Sequence, residues 1–138
     1  MINRRAEKYA FQLVVALACI IPLFTGAQGI LHGVHWLRGA ESATSIDLDS
    51  HFHYVSGIFF AVGLGFASCV PKIEQKAARF RLLGLLVMCG GASRLLSLMQ
   101  NGTPSLGHQL GLVMELIIMP LLMLWQRQLA LRFHIGRT

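Results

Sequence analysis

Four apolar stretches of close to twenty residues leave this chain few ways to fold. They cover about residues 9–31, 52–70, 80–99 and 105–125. Some twenty apolar residues in a helix match the hydrocarbon thickness of a bilayer. A segment in lipid finds no water for its backbone, so it must satisfy its own hydrogen bonds, as a helix does. The balance of residues agrees: 54% are hydrophobic and 13% charged, against about 25% charged in soluble domains. The expected fold is all-α, an integral membrane four-helix bundle forming a single membrane domain over residues 1–138.

The breaks between stretches are chemically clear. Pro71 stops the second, and Asn101-Gly102-Thr103-Pro104 reads as a tight turn between the third and fourth. Pro22 and Pro120 fall inside the first and fourth, where each removes a backbone donor and predicts a bend. Small residues, including Ser56, Gly57, Gly63 and Gly65, suit close helix packing in lipid. The basic start and apolar run at the N-terminus imitate a signal peptide. The run is too long for one, no Ala-x-Ala site follows, and Ala16-Leu17-Ala18-Cys19 is a poor lipoprotein box, so a retained first span is expected.

The net charge of +6 raises the question of nucleic acid, and its distribution answers it. Ten of the twelve basic residues form three groups flanking apolar stretches: Arg4, Arg5 and Lys8; Lys72, Lys76, Arg79 and Arg81; Arg127, Arg132 and Arg137. The intervening loops carry Arg38 with Glu41, Asp47 and Asp49, or no basic residue. This alternation follows the positive-inside rule with both termini cytoplasmic, in a multi-pass protein of a bacterial inner membrane. Nucleic acid is not an expected partner. Cys19, Cys69 and Cys89 all lie in apolar text and read as small buried hydrophobes, not as a disulfide or soft-metal set.

Two charges stand inside the apolar text: Arg94 in the third span and Glu115 in the fourth. A charge at membrane depth is expensive unless paired or hydrated. Helical rise puts Arg94 about 10 Å and Glu115 about 15 Å below the turn joining their helices, within an arginine's reach. An ion pair, direct or through water, is therefore expected. His108, Gly111 and Glu115 share one helix face by their spacing. His32, His35, His51, His53 and His108 all fall toward the outer side. Together they suggest an outward-facing polar cavity, with Arg94 and Glu115 at its floor.

Three chemistries fit such a cavity. The leading one is binding of a small amphipathic or lipid-like molecule, Arg94 holding a carboxylate, phosphate or carbonyl oxygen, in a protein that could serve as an accessory subunit. The second is an isomerase- or hydrolase-type enzyme using Glu115 and a histidine for proton transfer. The third is metal binding through His32, His35 and His51, whose spacings match no strong metal signature. A fourth reading is purely structural: the charged pair fixes helix register inside a membrane complex. The ligand-binding candidates are Arg94, Glu115, His108 and His53; the expected partners are membrane lipid or a hydrophobic small molecule, with homo- or hetero-oligomers open. No motif identifies a cofactor.

Several motifs carry a family resemblance. They are Pro22-x-x-Thr25-Gly26, Asp49-Ser50-His51-Phe52-His53-Tyr54, Gly90-Gly91-x-x-Arg94-Leu95-Leu96-Ser97 with Gly102-x-Pro104, and Glu115-Leu116 followed by Pro120. The chain resembles the small four-helix bacterial membrane proteins of domain-of-unknown-function family 4345 over about residues 10–126. The resemblance implies a four-helix membrane fold and draws attention to Arg94 and Glu115. It implies no substrate. It also implies an arginine before the aromatic residue that opens the second span, where this chain has His53, which would make an anion contact there pH-sensitive.

Overall fold

Each apolar stretch folds as a helix whose ends are set by local chemistry. The computed structural model describes residues 4–37 and 45–135; Arg38, Glu41 and Arg137 of the charge argument, and the side chain of His134, lie outside the described residues. Helix α1 (Arg4–His32) continues through Pro22. Near that proline, the Thr25 hydroxyl donates to the Ile21 carbonyl at 2.8 Å. A 3-10 turn, Gly33–Trp36, follows.

Helix α2 (Ile46–Ala67) begins earlier than the expected start near 52. Ser45 is the reason: its Oγ accepts the Leu48 amide at 3.1 Å, and Asp47 and Asp49 place negative charge in the first turn. A 3-10 turn at Val70–Lys72 carries Pro71. Helix α3 runs Ala77–Asn101, and Gly102 leaves it with φ +91° while its amide bonds Leu98 O. Then come α4 (Leu106–Val113), a π turn (Met114–Ile118) and α5 (Met119–Ile135). Helix α5 outruns the expected end near 125 because its later turns become amphipathic: Leu129 is fully buried while Arg127 and Gln128 are exposed.

Among the described residues there is no strand, and four segments are long and apolar enough to cross a membrane: Arg4–Trp36, Ile46–Lys72, Ala77–Asn101 and Leu106–Phe133. Large apolar side chains stay exposed on all of them, Leu17, Ile58, Leu86 and Leu121 among them. Such a surface suits lipid, and it leaves packing and polar bonds to hold the interior.

The helices form two compact units. One is Gln12–Pro71. In it, α1 and α2 run antiparallel in contact made close by glycine. A Cβ on Gly26 would lie 2.8 Å from the Phe60 backbone nitrogen, and one on Gly29 would run into the Ser56 hydroxyl. Across the pair, Gly63 faces Pro22 and Leu23. Gln12 Nε2 donates to Val70 O at 2.6 Å, tying down the end of the hairpin. Cys19 and Cys69 are buried here, as expected.

The other unit is Met1–Phe11 with Lys72–Thr138. Gly84 of α3 sits against Met119 and Met123. Phe11, Ile73, Phe80 and Leu129 are almost fully buried, and the Phe11 ring meets Phe80 and Trp125 at 5.8 and 4.8 Å. Around this basic end run polar ties. Lys8 bonds Glu74 at 3.0 Å; Arg132 bonds Glu7 at 2.7 Å; Gln126 Nε2 donates to Ile73 O at 2.9 Å. Burial pushes the Glu74 carboxyl up, but a backbone hydrogen bond and Lys8 outweigh it and hold the group below the usual carboxylate range. Cys89 departs from expectation: it is exposed on α3, because the face it occupies is turned away from the helix contacts made by Gly84 and Gly91.

Candidate functional site

Arg94 and Glu115 meet directly. The turn after α3 is too short for α3 and α4 to be anything but antiparallel neighbours, and Gln109 Nε2 pins it through Pro104 O at 2.8 Å. Gly91, one turn before Arg94, is buried where the helices touch; a Cβ there would lie 2.7 Å from Glu115 Cβ and 2.9 Å from Leu116 Cδ2. Glycine at 91 therefore admits the acidic side chain.

Glu115 itself belongs to the π turn, and Pro120 gives the physical reason for that turn. Proline has no N–H to donate, and its ring would collide with the carbonyl four residues back, that of Leu116. The helix widens ahead of it, and the Met119 amide donates five residues back to Met114 O. Such turns recur at functional sites.

The pair is a two-point fork. Arg94 Nε donates to Glu115 Oε2 and Nη2 to Oε1, each at 3.0 Å. Glu115 is 12% exposed and Arg94 33%. A guanidinium has five N–H donors, and Glu115 takes two. No other described residue accepts from Arg94, so its outer edge, both Nη1 hydrogens and one on Nη2, is open. Gly111 borders it: a Cβ there would meet only Arg94 Cζ, at 3.9 Å. The pair is electrically neutral as a unit, so the open edge suits an uncharged oxygen acceptor better than a second full anion.

His108 shares the helix face but not the bond. It is exposed, and its Nδ1 lies 2.9 Å from Ser105 Oγ. Seven residues of rise, about 10 Å, separate it from Glu115 along the axis.

His53 lies in the other unit and serves the turn after α1. Asp49 Oδ1 accepts the Val34 amide at 2.9 Å. His53 Nδ1 lies 2.9 Å from Asp49 O and 3.3 Å from Oδ2. Both neighbours are acceptors, so Nδ1 is the donor to them. Gly33, at φ +58°, is required beneath them: a Cβ would run into Asp49 Oδ1 and lie 2.5 Å from His53 Cε1.

His32 Nδ1 lies 3.1 Å from Gln28 O, and its ring is 6.3 Å from that of Trp36. His35 and His51 are exposed. Among the described residues, no group of three His, Cys, Asp or Glu side chains is arranged to hold a metal ion. Sequence reasoning missed Asp49 as a partner of His53, although their spacing of four on a helix was a usable signal. It also missed the π turn, whose signal was Pro120 placed five residues after a charge.

A family model described as a domain of unknown function (DUF4345) matches residues 10–126. The chain belongs to that family. The match takes in all four spans and every candidate side chain above, in agreement with the resemblance of its motifs. No curated protein and no solved structure matches the chain.

Proposed function

We propose that this DUF4345 protein binds a small amphipathic molecule in the membrane, its oxygen-bearing head hydrogen-bonded to the open edge of Arg94 and its apolar part lying along the helices. The observation that carries the reading is the half-used guanidinium. Glu115 neutralises Arg94 and fixes its plane, yet three donors have no acceptor among the described residues, and beside the guanidinium stands Gly111, with no side chain to cover it. A carbonyl or hydroxyl oxygen would satisfy them without importing a second charge. The positive-inside pattern supports a multi-pass protein of a bacterial inner membrane with both termini cytoplasmic, which sets this edge in the outer half of the bilayer. Proton-transfer chemistry has less support, since no described histidine hydrogen-bonds Glu115. A role as accessory subunit is compatible with the binding reading.

Gly111→Leu tests the proposal. The new side chain would cover the guanidinium edge while leaving the fork to Glu115 intact. Protein extracted in mild detergent and weighed by native mass spectrometry should carry one bound molecule as wild type and none as Gly111→Leu, with equal helix content. Wild type without any bound molecule, or a variant that retains it equally, would overturn the reading.

A further inference from the structure

The geometry points to a second site, for an anionic glycerophospholipid, in the groove between α3 and α5. The groove has a volume of about 580 Å³, within the range of about 300–1,000 Å³ typical of ligand sites. Neither Arg94 nor Glu115 lines it. Its walls are Leu85 and Met88 from α3 and Met123 and Leu124 from α5, and its charged lining residues are Arg81 and Arg127.

Helix geometry places both arginines at one end. Helices α3 and α5 run antiparallel with Gly84 against Met123, so Arg81 and Arg127 come to nearly the same level. From each, seven residues of helix, about 10 Å, run down the apolar walls, to Met88 on one side and Pro120 on the other. A long hydrocarbon chain fits those walls, and a phosphate fits between two guanidiniums.

Charge identifies the occupant. Among the described residues, no acidic side chain lines the groove. Two other cations at this basic end have acidic partners: Lys8 pairs with Glu74 and Arg132 with Glu7. Arg81 and Arg127 have no such partner among the described residues, and both are exposed. A zwitterionic head would bring an ammonium that finds no carboxylate in the lining, whereas a net-negative head is complementary to both arginines. This site is independent of the Arg94 edge, and each can fail without the other.

The test uses wild-type protein in nanodiscs containing equal amounts of dioleoyl phosphatidylglycerol and dioleoyl phosphatidylcholine, with retained lipid read by native mass spectrometry. Phosphatidylglycerol should be retained preferentially. Arg81→Gln and Arg127→Gln should each lower that preference about fivefold, as expected for one arginine near an anionic head. Lys72→Gln removes the same charge from the same end outside the groove and should leave the preference unchanged. Leu124→Trp should lower phosphatidylglycerol retention with both arginines in place. Equal retention of the two lipids by wild type would overturn the proposal, as would equal losses from Arg81→Gln and Lys72→Gln.

Discussion

Removing one member of the Arg94–Glu115 pair should harm the fold more than removing both. Arg94→Leu leaves a carboxylate that is 12% exposed facing apolar helices, and Glu115→Leu leaves a guanidinium that has lost both of its 3.0 Å bonds. A lone charge at mid-membrane costs about 2.5–3.5 kcal/mol on insertion scales, and breaking a buried pair from one side costs about 3–5 kcal/mol. Arg94 lies only about 10 Å below the outer turn and can snorkel toward the interface, so the lower end applies, roughly 2–3 kcal/mol for each single variant. The double variant Arg94→Leu/Glu115→Leu buries no charge and should lie within about 1 kcal/mol of wild type. The coupling between the sites is then roughly 4 kcal/mol. Equilibrium unfolding in mixed micelles, titrated with a denaturing detergent and followed by circular dichroism, measures all four proteins. If the double variant loses as much as the two singles added together, the pair does not act as a unit and the reasoning fails. The double variant should also carry no bound molecule while remaining folded, which separates the pair's binding role from its structural one.

Three further outcomes follow from the close contacts and the basic end. Gly91→Leu should destabilise by about 1–3 kcal/mol by pushing Glu115 and Leu116 away, whereas Gly90→Leu, with nothing within 4 Å of its added Cβ, should leave the unfolding midpoint nearly unchanged. Gly33→Ala should cost at least about 1–2 kcal/mol from its left-handed backbone alone, and it should increase hydrogen exchange at the Val34 amide as Asp49 is displaced. The folded Glu74 carboxyl titrates below its usual value near 4.5. Its contribution is therefore complete above that value and lost as pH falls through the lower folded pKa. Unfolding midpoints measured across acid pH should show that loss in wild type, and Glu74→Gln should remove this part of the pH dependence.

The spans were legible because lipid imposes a simple rule: each crossing must be long, apolar and helical. Pro71 and the Asn101–Pro104 turn marked real breaks for the same local reasons in sequence and structure. The start of α2 was less legible, since Ser45 caps a first turn that is polar and reads as loop. Arg94 and Glu115 could be paired in advance because a tight turn makes α3 and α4 antiparallel neighbours at that level. Their two-point geometry could not, because it depends on Gly91 at the contact and on a widened turn that hydropathy does not encode. His108 shows the reverse failure: helical spacing put it on the right face, but Ser105 is nearer than Glu115 and engages its ring.

The widened turn at Met114–Ile118 also makes chain length a register gauge. A π turn holds one residue more than a regular helix would need there, so the faces of α4 and α5 are offset by about 100°, the rotation of a single residue. A helical wheel continued straight from Leu106 to Ile135 assigns wrong faces on one side of it. Deleting one residue between Glu115 and Met119 would let the helix close regularly, yet it would turn one half relative to the other. Either Glu115 would swing off Arg94, or Met119 and Met123 would leave Gly84. The extra residue is what lets a single helix serve both contacts.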